Sequence, residues 1–482
     1  MTFSLRAQRA TLVAVFCMLA AIYGFAWFLP AIGLDYDDAN FLIAARSIAA
    51  GHGYAAGQTN FPPLFPALLA LFTLVSEQIQ WLKVLPLGCA VGWLLLSRRL
   101  LLKMGASRNG AWLLILLTAA CPAVILLSTN LLPETLFGLL ATAALIALLE
   151  ERPGLAGGLA GLAALTRTGG IGLILACILT LVARRRFRGS AIFAAAAMLI
   201  CAPWFGWSLA HLSSGEQRVP TEIFTGLAAS EKLVVLFQNF LALLQSPFAL
   251  LSGVTHVYFI AAAVVVLLRC FYVRRQLVPD LFLVFYCLSL LVWTTPPMLY
   301  VAPILPLVFW IAWRVFRLMR NQEALAALVL IVAAVPLAAD GFRLVAAHRD
   351  GTFPLETVAA DNWSEMRTLF AFIRGNTAPG DVLLANLDGA FYLNTGRRTV
   401  RGFVPNHFDL DYLKRQSPVS PDQLSKAIIE NRVAWVVLTP DRGRPESDSF
   451  HASVAALERG GILEPVAVLG AGSGYQVFRV AR

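Results

Sequence analysis

Up to Asp340 the chain returns again and again to apolar runs long enough to cross a lipid bilayer. A helix needs about 20 such residues to span a hydrocarbon core of roughly 30 Å. Runs near residues 10–30, 80–97, 110–127, 134–149, 154–166, 168–183, 190–210, 253–271, 281–295, 300–316 and 324–340 predict eleven transmembrane helices. Only 14% of the residues are charged and 58% are hydrophobic, where a soluble globular chain carries about 25% charged residues. The first run follows Arg6 and Arg9, but it is long and no small-residue cleavage site follows it, so it reads as a signal-anchor with the N-terminus inside.

Charge supports this set of spans. Residues 1–340 hold 22 Lys+Arg and 13 Asp+Glu, and residues 341–482 hold 16 and 15, so the net charge of +10 sits almost wholly in the apolar part. That distribution points to basic cytoplasmic loops and away from a nucleic-acid-binding face. Under strict alternation, 17 of the 22 basic residues fall inside, and only Arg46, Lys83, Arg167, Arg218 and Lys232 fall outside. Phe61–Val75 is apolar but short and interrupted by Pro66. Counting it as a span would put Arg98 and Arg99 outside, so it is predicted to lie along the outer leaflet. All seven cysteines lie in apolar stretches, which leaves no disulfide framework and no zinc-ligand spacing.

An odd number of spans puts residues 341–482 outside. Their pattern predicts a mixed α/β domain: helices at 363–374, 421–431 and 449–459, and strands at 381–385, 433–438, 463–468 and 474–480. The predicted architecture is a polytopic α-helical domain over 1–340, with outer-face loop and interfacial helices at 31–79, followed by an extracytoplasmic α/β domain over 341–482.

The richest segment for chemistry is the first outer loop, with Asp35, Asp37 and Asp38 in four residues and then Gly51-His52-Gly53-Tyr54. Crowded carboxylates beside a membrane raise the pKa of at least one of them, which suits a general base. The same acids would equally serve to open a helix at Ala39. Lys83, Glu134, Arg167 and Tyr300 stand at the outer ends of spans on the same side. One cation there is ordinarily an anchor. Two cations, a phenol and carboxylates on one face pair a base with an anion clamp, the equipment for moving a group off a phosphate.

In order and spacing these pieces resemble the GT-C superfamily of polyprenyl-phosphate-sugar-dependent glycosyltransferases, in particular the branch of the protein O-mannosyltransferases, the lipid A aminoarabinose transferases and the Rgt-type transferases. The resemblance runs through Asp37-Asp38, Ala45-Arg46-Ser47, Gly51-His52-Gly53-Tyr54, Pro62-Pro63-Leu64-Phe65-Pro66 and Lys83-Val84-Leu85-Pro86. It continues through Leu131-Leu132-Pro133-Glu134, Leu165-Thr166-Arg167, Pro203-Trp204, Tyr300 to Pro306 and Thr395-Gly396-Arg397. It implies a GT-C fold in the inner (plasma) membrane and a polyprenyl-phosphate-linked sugar donor. The acceptor would be a lipid, a polysaccharide or a protein, with membrane lipid around the chain and no nucleic acid.

By the same resemblance Asp37, ahead of Asp38 and Asp35, is the base of an inverting transfer, and Glu134 is the second acid near the site. Arg167, Lys83 and Tyr300 hold the donor phosphate, with His52 as a further contact. Two positions depart from the aminoarabinose transferases, which carry basic residues where this chain has Asn40 and Phe61. No cofactor is required. Asp37, Asp38, Glu134 and His52 could take a divalent cation, but their spacing specifies no metal site. The alternatives from other classes are a lipid or polysaccharide transporter and a non-catalytic envelope assembly protein; against the first, the polar residues gather at one face and the two halves do not match.

Overall fold

The computed structural model describes residues 16–17, 19–24, 26–27, 32, 37–54, 61–211, 224, 226–245, 277–293, 300–316, 363–401, 419–440, 445–469 and 474–481. The predicted spans at 253–271 and 324–340, most of the first one, and Asp35 lie outside these residues. The backbone divides into two compact units, Met1–Phe28 with Ala44–Arg343, and Leu29–Ile43 with Leu344–Arg482. The sequence reading placed 31–79 with the first region; of its described residues, 32 and 37–43 group with the second unit.

The described part of the first unit is helical: the end of α1 (Asp37–Ala49), then α2 (Leu64–Thr73), α3 (Ile79–Leu82), α4 (Val84–Lys103), α5 (Arg108–Ala120) and α6 (Pro122–Thr129). There follow α7 (Glu134–Leu149), α8 (Pro153–Ala164), α9 (Gly170–Ala183), α10 (Phe187–His211), α11 (Ala229–Gln245) and α12 (Leu277–Leu291). A 3₁₀ turn (Ala302–Ile304) leads into α13 (Leu305–Phe316). Two helices among the described residues are long and apolar enough to cross a membrane alone, Ile79–Lys103 and Phe187–Ala210. Both turn large apolar side chains outward, such as Leu95 at 54% and Leu199 at 76% exposure, as helices in contact with lipid do.

The predicted span at 110–127 is not one helix. It breaks at Cys121, and α5 and α6 meet at 68°. Cys121 takes an extended backbone (φ −65°, ψ 127°). The cause is local: the ring of Pro122 crowds the residue before it out of the helical region, and its nitrogen has no N–H to continue the ladder. The predicted helices at 134–149, 154–166 and 168–183 appear as α7, α8 and α9, with α8 starting one residue early and ending two early and α9 starting two residues late. Small residues let α8 approach α10 closely: a Cβ on Gly157 would sit 2.2 Å from the Phe193 carbonyl oxygen. This is backbone-to-backbone packing of the small-residue kind that membrane helices use.

The second unit holds the first turns of α1 together with α14 (Trp363–Asn376), β1 (Val382–Ala385), α15 (Asp388–Thr395) and β2 (Arg398–Val400). It continues with α16 (Pro421–Glu430), β3 (Val433–Leu438), α17 (Pro445–Arg459), β4 (Leu463–Leu469) and β5 (Tyr475–Val480). The strands order β2-β1-β3-β5-β4, with β1 parallel to β2 and β3, and β5 antiparallel to β3 and β4. Leu384, Val436 and Leu438 pack against Leu424 and Ile428 of α16 and Phe450 and Val454 of α17. A reciprocal cap opens α16: the Ser420 hydroxyl accepts from Gln423 N, and the Gln423 side chain accepts from Ser420 N. The Thr395-Gly396-Arg397 motif is a fastener here. Gly396 ends α15 in the left-handed region (φ 69°). Arg397 donates to the Thr377 hydroxyl and carbonyl, each at 2.9 Å, tying α15 to the end of α14.

Candidate functional site

Within the first unit the structure gathers three of the residues singled out from sequence. Glu134 is the first residue of α7, where the positive helix end favours a carboxylate. It is 3% exposed and paired through Oε1 with Nη2 of Arg167. Arg167 stands in the turn between α8 and α9, its guanidinium 4.9 Å from the ring centre of Tyr300. Acid, cation and aromatic ring therefore form one cluster at the ends of α7, α8 and α9, just ahead of the 3₁₀ turn.

The turn is built for this. Arg167 N and Thr166 N both donate to the Ala163 carbonyl, closing α8, and α9 opens at Gly170. A Cβ on Gly169 would lie 2.6 Å from Cε2 of Tyr286, so only glycine lets the turn pass this ring. Tyr286, on α12, stacks on Phe137 at 5.5 Å and donates its hydroxyl to the Tyr300 carbonyl at 2.7 Å. It thereby fixes the backbone of the residue whose ring lies against Arg167. Tyr286 had no signal in the sequence, being one aromatic among apolar neighbours.

The pair is incomplete as a fork. Oε2 of Glu134 and Nε of Arg167 are both buried without a hydrogen-bond partner. A buried carboxylate–guanidinium pair commonly uses two parallel bonds, and here one arm of each group is left over. Leaving such atoms unsatisfied costs about 1–3 kcal/mol per group, a cost that a bound anion or hydroxyl would remove.

Lys83, 2% exposed, joins α3 to α4. The Thr135 hydroxyl donates to the Pro86 carbonyl at 3.0 Å, which holds the first turn of α4 against that of α7. Leu64 N donates to the Leu165 carbonyl, so the Pro62-Pro63 segment is stitched to the same hairpin. His52 is exposed, in a loop that ends α1: its backbone N donates to the Ser47 carbonyl, between Gly51 and Gly53 at positive φ. Tyr54 beside it is held by Trp204 and Trp207 edge-on, and its hydroxyl donates to the Phe61 carbonyl at 2.7 Å.

Asp37 and Asp38 belong to the second unit and begin α1. Asp38 is 4% exposed, and its Oδ1 accepts from Ala39 N at 2.7 Å. The first turn of α1 packs on the first turn of α15, where a Cβ on Gly389 would come 2.7 Å from Cβ of Ala39. The acidic pair is thus seated on the α/β domain. Among the described residues, no three His, Cys, Asp or Glu side chains group as metal ligands.

No family model and no curated protein sequence matches the chain. Solved structures do. ArnT from Cupriavidus metallidurans bound to undecaprenyl phosphate superposes with a TM-score of 0.60 at 12% identity, over 96% of this chain and 97% of its own. The same protein in the apo state gives 0.61 at 13%, over 98% of both chains. Arabinosyltransferase EmbB from Mycobacterium smegmatis aligns over 73% of this chain and 42% of its own with a TM-score of 0.32, too low to bear on the fold. At such identities the likeness is one of architecture, and it extends from end to end: the chain has the fold of these ArnT structures.

Proposed function

We propose that the protein is an integral membrane glycosyltransferase that takes a sugar from a polyprenyl phosphate and passes it to an envelope lipid, glycan or protein. The observation that carries this reading is the Glu134–Arg167–Tyr300 cluster, an arginine with a spare donor held at the ends of apolar helices. It occurs in a chain folded like a protein that was crystallised with undecaprenyl phosphate. In this reading Arg167, with Lys83 and Tyr300, receives the donor phosphate, and His52 supplies a further contact. Glu134 orients Arg167 through one oxygen and keeps the other for the substrate. We further propose eleven spans in the inner membrane, a cytoplasmic N-terminus, and an extracytoplasmic domain from about residue 341.

The step is a single displacement. Asp37 takes the proton from the acceptor hydroxyl or amine, and the acceptor atom attacks the anomeric carbon. The bond from that carbon to the phosphate oxygen breaks on the opposite side, so the configuration inverts. Polyprenyl phosphate leaves with the bonding electrons, and the guanidinium of Arg167 balances its growing charge. Asp38 is the second candidate base and Asp35 the third. No cofactor enters the scheme.

Asp37→Asn preserves shape and helix-opening capacity but cannot accept a proton. It should lower turnover by about 10²- to 10⁴-fold at unchanged expression, measured with purified protein and a short-chain polyprenyl-phosphate sugar. Turnover at the parental rate would remove Asp37 from the mechanism. Mass spectrometry of envelope lipids and glycans, with and without the gene, names donor and acceptor together. For orientation, single cysteines at Ser76 and Asn394 in a cysteine-free background should both react with an impermeant reagent added from outside.

A further inference from the structure

At the α7–α8 and α9–α10 turns lies a cavity of about 330 Å³ that the transfer reaction does not use. Its apolar side is formed by Leu148 and Leu181, and its polar side by Glu151, Arg185, Arg186 and Arg188. Arg184, next in sequence, adds its charge to the field at Glu151. One carboxylate faces this group. Glu151 accepts from Arg186 at 2.7 Å, a bond that with the charge of Arg186 holds its carboxyl below the usual carboxylate range. Arg184, Arg185 and Arg188 have no carboxylate partner among the described residues.

A second basic cluster uses its one carboxylate differently. Arg99 and Lys103 both reach Glu150, at 2.5 and 3.0 Å, and Arg98 lies 4.4 Å from the Trp112 ring centre. There two cations share one carboxylate and the third rests on an aromatic ring, its Nε buried without a hydrogen-bond partner. Of the three arginines that line the cavity, Arg186 is paired with Glu151, and Arg185 and Arg188 have no carboxylate partner among the described residues. An anion from outside the chain completes the charge balance.

The surroundings select the kind of anion. The helix surfaces beside the cavity expose Leu155, Val182, Phe187 and Ile192, at 53%, 41%, 64% and 44%. A ligand whose head enters among the arginines therefore lays its remainder along apolar side chains. We propose that this cavity binds the phosphodiester headgroup of an anionic membrane phospholipid, its acyl chains running along α8, α9 and α10. The site is separate in sequence and chemistry from the Glu134–Arg167 cluster and does not depend on the transfer reaction.

The test is native mass spectrometry of the full-length detergent-purified chain with added phosphatidylglycerol or phosphatidylethanolamine. The parent should retain phosphatidylglycerol and lose phosphatidylethanolamine. The double variant R185Q/R188Q should weaken retention roughly 25-fold, about 5-fold or 1 kcal/mol per arginine. Glu151→Gln frees Arg186 and should strengthen retention, so the proposal is testable even if the double variant fails to fold. Equal retention of the two lipids by the parent overturns it. So does phosphatidylglycerol retention that neither substitution moves. Displacement of the lipid by inorganic phosphate at equal concentration would assign the cavity to a free anion instead.

Discussion

A carboxylate paired with an arginine occurs in both units, and the two pairs differ in kind. In the helical unit Glu134 is 3% exposed, and its pairing with Arg167 leaves one polar atom on each side without a partner. In the α/β unit Arg401 reaches Asp388 with two donors, at 3.0 and 3.2 Å, and the side chains are 16% and 26% exposed. The second pair links the start of α15 to the end of β2 and can exchange its bonds with water. In the first, Glu134 is closed to water, while the Arg167 side chain, at 17%, is about as exposed as that of Arg401. A polar pair in an apolar surrounding is costly to keep and costlier to break.

The sharpest way to break this contrast is to truncate one member of each pair. Arg167→Ala strands the Glu134 carboxylate and should destabilise the protein by about 3–5 kcal/mol; Arg167→Lys keeps the charge but loses the planar fork. Thermal unfolding in detergent, with donor titration of both variants, separates the effects. If lysine and alanine leave donor dependence unchanged, Arg167 is an anchor and Lys83 becomes the leading clamp.

Next in size are two glycine substitutions. Gly157→Ala drives a methyl group into the Phe193 carbonyl, so two backbones must part, at a cost of about 1–3 kcal/mol. Gly389→Ala meets side-chain atoms, the methyl of Ala39 at 2.7 Å and Cδ1 of Ile43 at 4.0 Å, with no backbone atom within reach, and should cost less while shifting the first turn of α1. Unfolding midpoints rank the two. A larger loss for Gly389→Ala would mean that α1 is held more rigidly than the helix pair.

Asp388→Asn should cost less than about 1 kcal/mol, a loss that shrinks as salt is added. The smallest effect is at Glu150, where hydrogen bonding to Lys103 and the charges of Arg99 and Lys103 lower the carboxyl pKa. A lowered folded-state value contributes stability that is present above the ordinary carboxylate pKa and lost as pH falls through the lowered one. Glu150→Gln should therefore lower stability slightly at neutral pH and flatten the acid side of the profile, the variant and parent converging at low pH where the carboxyl is protonated in both states.

The two units were also legible to different degrees. Long apolar runs located α7, α8 and α9 because a membrane demands length, and short apolar runs between turns located β3, β4 and β5, β3 being buried along nearly its whole length as the central strand. The break at Pro122 was visible as a proline but was averaged away in a window where every neighbour is apolar. α15 and β2 were missed because eight and three residues carry too little periodicity. At the site, the sequence supplied Glu134, Arg167 and Tyr300 as members of one face. That Glu134 grips Arg167, across 33 positions, and that Tyr286 braces Tyr300 follow only from helix packing. The seating of Asp37 and Asp38 on the α/β unit was likewise not encoded in any local pattern.

During synthesis, residues 108–129 emerge as one continuous apolar stretch, which an insertion machinery that weighs overall hydrophobicity treats as a single helix. The bend cannot be part of that first event, because α5 and α6, at 13 and 8 residues, reach only about 20 and 12 Å each. All eight residues of α6 are buried in the finished molecule, and α7, one of the elements that packs on it, is made later. The short arm packs on α4 and α5, already made, and completes its burial when α7 arrives, which makes this stretch a natural point for assembly to pause.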